Sequence, residues 1–205
     1  MSERMIDLTC KEFTEKLSSD SPTPGGASVA ALVGAFANAL GQMAGNLSLS
    51  KKEGEEKESL KGLLNQADLL QNELLELIDE DKKCFQILLS AYKLPKSDEK
   101  SSKIQEGILT AIKPPIKILE KTCEAVDLIE QITPYTKKML LSDVACAAIL
   151  AKSAIDCALV NILVNSSAIT DDNKKLTINN KADELFNKYI KKTNKIAENI
   201  KKELR

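Results

Sequence analysis

The chain has 205 residues, which is enough for one domain with a substantial core. It carries 29 Lys and Arg residues against 30 Asp and Glu residues, and this balance lacks the basic excess typical of nucleic-acid-binding proteins. Histidine is absent, which removes the most common general base and zinc ligand. We therefore expect no nucleic-acid partner and no metal site, and any acid–base chemistry must use Asp, Glu, Lys, Tyr or Cys.

The predicted elements are all helices, because apolar residues recur at three- and four-residue spacing and no strand-length alternation occurs. A capping box at Thr9 and Glu12 opens a short helix with Phe13 and Leu17 facing inward. Further helices are predicted at about 27–46, 52–92, 97–132 with a kink or break at Pro114-Pro115, 142–165 and 180–204. The sequence thus predicts a single all-α domain, 1–205, of six or seven helices.

Residues 21–50 contain no charged side chain and could be mistaken for a membrane span. The stretch is rich in Ala and Gly and includes Ser28, Asn38, Gln42 and Asn46, so a buried helix fits better than a spanning one. We therefore expect no membrane partner.

The five cysteines, which form no Cys-x-x-Cys pair, are expected to be small buried residues in a reducing compartment. No signal peptide is visible at the start of the chain, and we expect a cytoplasmic protein.

Pro24-Gly25-Gly26-Ala27-Ser28 precedes the uncharged helix. Two glycines at this position leave the N–H groups of the first helical turn accessible to an anion or a polar ligand. A tight turn that lets the helix enter the core is the structural alternative.

Asp81 interrupts the apolar stripe of the longest predicted helix, and Gln71 interrupts it ten residues earlier. A buried carboxylate tends to have a perturbed pKa, which suits acid–base chemistry. The alternative is that the apolar stripe rotates gradually around the helix, so that Asp81 lies at its edge beside Lys82 or Lys83.

Asp143 lies in the first turn of a strongly apolar helix, where an acidic residue also complements the helix dipole. It shares one face with Asn161 and Asn165, with small residues between them, which indicates a groove with polar ends. Lys152 and Asp156, four residues apart, are expected to form an ion pair.

Several of these segments together resemble the formiminotetrahydrofolate cyclodeaminase / methenyltetrahydrofolate cyclohydrolase family. The resemblance is carried by blocks in the same order and spacing over most of the chain, namely 24–32, 43–48 with Lys51-Lys52, 81–85 with 94–96, 142–143 and 161–165. The departures are Ala27 in place of a third glycine, and 134–138, which lacks a Gly-Asn pair before Ser142-Asp143.

The resemblance implies an all-α homodimer with a folate site in a cleft near the subunit interface, and one-carbon chemistry on a tetrahydrofolate substrate without another cofactor. It implies that Asp81 and Asp143 are functional. Our hypothesis is that Asp143 is the acid–base or cation-stabilising carboxylate and that Asp81 is a second carboxylate, either catalytic or holding the amino and N3–H donors of the pterin. The remaining contacts would come from Gly25, Gly26, Ser28, Asn46 and Asn161, with Lys51 meeting the acidic glutamyl tail.

A chain without room for a formiminotransferase domain leads us to expect the cyclohydrolase reaction slightly before the cyclodeaminase reaction. Two alternatives belong to other classes of protein. One is a degenerate family member that binds a folate without turnover, which the absent Gly-Asn pair suggests. The other is a helical protein-interaction module that docks through its amphipathic C-terminal helix.

Overall fold

The computed structural model describes residues 4–205, and within them the fold is all-α, as the sequence predicts. Short 3-10 turns lie at Met5–Asp7, Thr133–Tyr135 and Lys138–Leu140. Seven α-helices follow one another along the chain: α1 (Cys10–Leu17), α2 (Gly26–Leu49), α3 (Gly54–Tyr92), α4 (Asp98–Ala111), α5 (Lys113–Ile132), α6 (Leu141–Ser167) and α7 (Asp172–Glu203).

Local capping signals determine where several helices begin. At the start of α1 the Thr9 N–H donates to Glu12 Oε2 (2.8 Å) and the Glu12 N–H donates to Thr9 Oγ1 (3.2 Å), so the predicted capping box forms. Ser97 caps α4 by accepting from the Lys100 N–H at 3.1 Å. The double proline lies in the first turn of α5, so the predicted kink is a break between α4 and α5.

The last helix begins earlier than predicted, at Asp172 instead of residue 180. Asp171 caps it by accepting from the Lys174 N–H at 3.0 Å. The first turn of α7 is polar, so apolar periodicity gives no signal there. The prediction that Phe13 and Leu17 of α1 both face inward is correct for Phe13, which is buried, and wrong for Leu17, which is exposed.

α2 lies at the centre of the fold and packs against α3, α5 and α6. Its glycines permit the close approach. A Cβ added at Gly41 would lie 2.8 Å from Ile129 Cγ1 in α5, and one added at Gly34 would lie 2.8 Å from Thr122 Oγ1. The small residues of α2 therefore bring the helix axes closer than larger side chains would allow.

The predicted burial of the uncharged helix is confirmed on one side, where most of its Ala and Gly residues are buried together with Ser28, Asn38 and Ser48. By length and composition, α2 and the segment Lys138–Ser167 that contains α6 could each cross a membrane. Core helices of soluble proteins share these properties.

The expectation that all five cysteines are buried is wrong. Only Cys123 is fully buried, Cys84 is half-buried, and the remaining three are exposed: Cys10, Cys146 and Cys157. The last two lie on the outward side of α6, where the residues are apolar although no other part of the described protomer covers them.

The packing of α2 on α5 predicts that Gly41→Ala destabilises the protein by about 1–3 kcal/mol, the usual effect of overpacking a core. Ile129 is only 1% exposed, so it can make room for the added methyl group only by displacing other core residues. Urea unfolding measures the change. The matched control is Gly62→Ala in α3, where an added Cβ meets nothing within 4 Å. This variant should gain about 0.5–1 kcal/mol from helix propensity, and equal effects at both positions would contradict the packing argument.

Candidate active site

A cavity of about 190 Å³ lies where the N-terminus of α2 meets the middle of α3 and the C-terminal end of α6. Five of the residues predicted to be functional are found here. Gly25, Gly26, Asp81 and Asn161 line the cavity, and Ser28 contacts Asp81. The rest of the lining comes from Pro22, Thr23, Ala27, Phe85, Ala111, Val164 and Asn165.

Asp81 is half-buried and is held by a residue of α2. The Ser28 hydroxyl, itself 0% exposed, donates to Asp81 Oδ2 at 2.7 Å. Burial raises the pKa of Asp81, and hydrogen bonds from the Ser28 hydroxyl and N–H offset part of that rise. Of the two alternatives for Asp81, the structure supports the partly buried, polar-paired carboxylate over the solvated edge residue.

The first turn of α2 places the positive end of the helix dipole at the same cavity. Gly25 is the N-cap and has no side chain to satisfy the first N–H groups of the helix. The helix dipole therefore favours negative charge or a hydrogen-bond acceptor at this position.

Gly26 is small because Asn161 occupies the adjacent space. A Cβ at Gly26 would lie 3.0 Å from Asn161 Nδ2 and 3.3 Å from Asn161 Oδ1. Asn161 Nδ2 donates to the Cys157 carbonyl (2.8 Å) and Asn165 Nδ2 donates to the Asn161 carbonyl (2.8 Å). These bonds orient the two amides at the mouth of the cavity.

The other predicted site residues lie at the opposite end of the α2–α6 pair. Asp143 is 18 residues from Asn161 in α6, which corresponds to about 27 Å along the helix, and Asn46 and Lys51 are at the matching end of α2. One protomer therefore does not bring Asp81 and Asp143 into a single site. The predicted groove along α6 is also wrong, because Ala147 and Ala154 are 0% exposed and α2 fills that side.

The segment that lacks the Gly-Asn pair is fastened to the C-terminus of α2. The Lys137 N–H donates to Ser48 Oγ at 3.0 Å, and the Lys137 ammonium donates to the Leu47 carbonyl. Nearby, Lys52 lies over the Tyr135 ring at 5.5 Å from its centroid. Asp143 is half-buried beside this segment in sequence and has no hydrogen bond or ion pair with any residue that the structure describes.

The ion pair expected between Lys152 and Asp156 does not form. Lys152 Nζ instead donates to Asn194 Oδ1 of α7 at 3.2 Å. Within residues 4–205, Asp156 is left without a hydrogen-bond or ion-pair partner.

Two larger cavities, of about 330 and 400 Å³, lie between α3 and α5. Each of their charged residues already has an ion-pair partner. Lys121 contacts Glu73 (2.7 Å) and Glu124 (3.0 Å), and Lys117 contacts Glu80 (2.7 Å). The smaller cavity at Asp81 is therefore the better candidate, because its polar groups still have capacity for a ligand.

Sequence reasoning missed a second buried carboxylate, Asp79, which is 4% exposed. Its Oδ1 accepts from the Met5 N–H at 2.7 Å, and its Oδ2 lies 3.7 Å from Arg4 Nε. Asp79 directly follows Ile78 of the apolar stripe, and no pattern in the sequence distinguishes it from an exposed neighbour. It anchors the N-terminal segment and does not line the cavity.

The raised pKa of Asp81 predicts a pH-dependent gain in stability for Asp81→Asn. A folded-state pKa above the unfolded value means that stability falls as pH rises through that interval, because ionising the buried carboxylate costs free energy. The amide removes this cost and can still accept from Ser28. We expect a higher Tm than wild type at pH 7 and no advantage at pH 3, as measured by thermal unfolding. A constant difference at both pH values would contradict the assignment.

Comparisons with known proteins identify the family and the fold. The family model described as "Formiminotransferase-cyclodeaminase" matches residues 9–184. A methenyltetrahydrofolate cyclohydrolase of Methylorubrum extorquens is 32% identical, over 80% of this chain and 81% of the relative. The formimidoyltransferase-cyclodeaminase of Rattus norvegicus is 28% identical over 83% of this chain, which spans only 32% of that relative's length.

The crystal structure of formiminotetrahydrofolate cyclodeaminase from Thermotoga maritima superposes with a TM-score of 0.82 at 25% identity, covering 95% of this chain and 98% of that one. The family match spans most of the sequence, and the fold similarity extends over nearly all of it. The chain therefore belongs to the formiminotransferase-cyclodeaminase family.

Proposed function

We propose that the protein is a folate one-carbon enzyme acting on the carbon between N5 and N10 of tetrahydrofolate. The observation that carries this proposal is Asp81, a partly buried carboxylate of raised pKa in a cavity with the open N-terminus of α2. The family membership supplies the class of substrate.

In the cyclohydrolase reaction, water adds to the cationic methenyl carbon of 5,10-methenyltetrahydrofolate. The bond from that carbon to N5 then breaks, and 10-formyltetrahydrofolate and a proton are released. In the cyclodeaminase reaction, N10 attacks the N5-formimino carbon, and the tetrahedral intermediate expels ammonia. Both reactions require proton transfer and stabilisation of a cationic carbon, and a carboxylate can supply both.

The residues at the cavity have distinct proposed roles. Asp81 would accept and return a proton or hold the N–H donors of the pterin. Asn161 and the N–H groups of Gly25 and Gly26 would orient polar atoms of the substrate, and Ser28 would position Asp81. At the other end of the helix pair, Asp143 would be the second carboxylate. Asn46 would supply a polar contact there, and Lys51 would meet the glutamyl carboxylates of the tail.

The cyclohydrolase is our first candidate, because the 32% identical relative of that name is matched over most of both chains. The fold similarity to a cyclodeaminase favours the second reaction as the alternative. We propose a homodimer in the cytoplasm, with no nucleic-acid or membrane partner and no cofactor besides the folate substrate. The balanced charge and the five free cysteines support this proposal.

The proposal predicts that the protein removes 5,10-methenyltetrahydrofolate faster than the spontaneous reaction, as followed by loss of its near-UV absorbance. Asp81→Asn and Asp143→Asn should each lower kcat about 10²–10⁴-fold, the usual contribution of an acid–base residue. The control is Asp68→Asn, an exposed carboxylate of α3, which should leave kcat unchanged. A parallel assay measures ammonia from 5-formiminotetrahydrofolate. Folate binding with neither activity would contradict the enzyme and favour the degenerate family member, and no binding would exclude the substrate class.

The contact between Gly26 and Asn161 predicts a binding defect in Gly26→Ala. The added methyl group must displace the Asn161 amide from 3.0 Å, so the substrate loses an oriented contact. We expect KM to rise about tenfold, equivalent to about one lost neutral hydrogen bond, with global stability little changed. Steady-state kinetics with a urea-unfolding control measure both quantities. An unchanged KM would place the substrate away from this corner.

A further inference from the structure

One largely buried hydroxyl group at the cavity is unpaired in the part of the chain that the structure describes. Thr23 lines the cavity just before the first turn of α2 and is only 8% exposed. The loop around it is held by Ser21, whose hydroxyl donates to the Thr23 carbonyl at 2.7 Å. The Thr23 hydroxyl itself makes no hydrogen bond with any described residue. Since buried hydroxyl groups are normally hydrogen-bonded, an unpaired one that borders a cavity indicates a ligand that supplies the partner.

The N-terminus of α2 adds two more unpaired donors to the same cavity. The N-cap of this helix is a glycine without a capping side chain, so the N–H groups of Gly26 and Ala27 have no acceptor within the helix. No other described residue accepts from them, whereas the next N–H group, that of Ser28, is directed to Asp81. Thr23, Gly26 and Ala27 all line the cavity. We call their hydroxyl and two N–H groups the donor cluster.

The charge at the cavity determines which kind of group fits the donor cluster. An anion would be attracted to the helix N-terminus, but it would share a small cavity with the half-buried Asp81 carboxylate. Two negative charges close together in a partly buried site repel each other. A neutral carbonyl oxygen accepts from the same donors without this repulsion, and an N–H group beside that carbonyl can donate to Asp81. The cavity therefore matches a group that presents a carbonyl and an N–H side by side.

The size and the walls of the cavity indicate that this group belongs to a ring. The volume of about 190 Å³ is below the roughly 300–1,000 Å³ of pockets that enclose a whole drug-sized ligand, so the cavity holds one part of a folate. Pro22, Phe85 and Val164 give it apolar walls. Of the pterin, aminobenzoyl and glutamyl parts of tetrahydrofolate, only the pterin ring presents a carbonyl and an N–H on one edge.

We propose that Thr23 is a specificity-determining residue that donates, together with the N–H groups of Gly26 and Ala27, to the 4-oxo oxygen of the pterin ring. This inference rests on the proposed function, which supplies the folate substrate. The 4-oxo group lies between N3 and N5 of the ring, so Asp81 beside the donor cluster can reach one of these nitrogens. Contact with N3–H would make Asp81 a binding residue, and contact with N5 would make it a proton donor or acceptor in the reaction.

Two ligands that differ only at C4 of the ring test the contact. Tetrahydrofolate carries an oxygen there, which accepts from the donor cluster. Tetrahydroaminopterin carries an amino group there, which is itself a donor and leaves the cluster unpaired. We expect the wild-type protein to bind tetrahydrofolate at least about tenfold more tightly in anaerobic isothermal titration calorimetry, equivalent to about one hydrogen bond. Equal affinities, or tighter binding of the amino compound, would overturn the assignment.

Thr23→Val removes the hydroxyl group and keeps the shape of the side chain. The free energy of unfolding in urea should not fall, because the hydroxyl is unpaired within the described structure. The affinity for tetrahydrofolate should fall about five- to tenfold, while that for tetrahydroaminopterin should not fall. Thr23→Ser retains the hydroxyl and should restore most of the affinity. The control is Thr177→Val, an exposed threonine of α7, which should change neither affinity. A Thr23→Val protein that loses stability but keeps its affinity for tetrahydrofolate would assign Thr23 to the fold and refute the proposal.

A ligand without a tail distinguishes the ring from the glutamyl group as the partner of Thr23. 6-Methyltetrahydropterin carries the pterin ring but neither the aminobenzoyl nor the glutamyl part. Thr23→Val should lower its affinity by the same factor as that of tetrahydrofolate. A loss confined to tetrahydrofolate would place the glutamyl carboxylates at the donor cluster, contrary to the proposal.

Steady-state kinetics relate the contact to the reaction. A contact that is the same in substrate and transition state should raise KM for 5,10-methenyltetrahydrofolate in Thr23→Val, with kcat changed less than about twofold. An unchanged KM would contradict the contact. A wild-type protein that binds no tetrahydrofolate and has no activity would refute both this inference and the proposed function. A wild-type protein that is active, beside a Thr23→Val variant of unaltered affinity, would refute the inference alone.

Discussion

The position of α2 on α3 depends on two polar contacts that keep the same spacing on both helices. Ser28 donates to Asp81, and Asn38 donates to Gln71 Oε1 (2.9 Å) and to the Ala67 carbonyl (2.8 Å). The two residues of α2 are ten positions apart, as are their partners on α3. Any other register would leave a buried hydroxyl or amide without a partner, at a cost of about 1–3 kcal/mol for each group. An uncharged helix of small residues, which could otherwise slide, is fixed in one place by these contacts.

The contact between Ser28 and Asp81, which helps to set the register of α2 on α3, also positions the carboxylate of the candidate site. Ser28 holds the Asp81 carboxylate at the N-terminus of α2, where the helix dipole and the hydrogen bonds favour the ionised form while burial opposes it. These opposing effects bring the two protonation states of Asp81 closer in free energy than they are for an exposed carboxylate. A group in this condition can exchange a proton with a substrate, at the expense of some stability at neutral pH.

The sequence was sufficient to predict the fold class, the capped starts of α1 and α4, and, as one of two alternatives, the partial burial of Asp81. Gln71 and Asp81 stood out because apolar periodicity made them exceptions, and both proved to be bonded to α2. Asp79 had no such signal, because its burial depends on the N-terminal segment folding back over α3. The sequence also could not predict that Asp143 lies far from Asp81, because a shared helical face does not reveal which end of a helix pair each residue occupies.

The apolar character of the outward side of α2 and α6 is a consequence of the close packing on their inward side. Close packing of α2 against α5 and α6 requires small residues, and small residues bury little apolar area each, so the pair gains limited stability from its inner contacts alone. Larger apolar residues such as Phe36 and Leu47 therefore face away from the protomer core. Covering them would add the apolar burial that the inner face lacks. Any partner that covered them would therefore stabilise α2 and α6, the helices that carry Ser28 and Asn161.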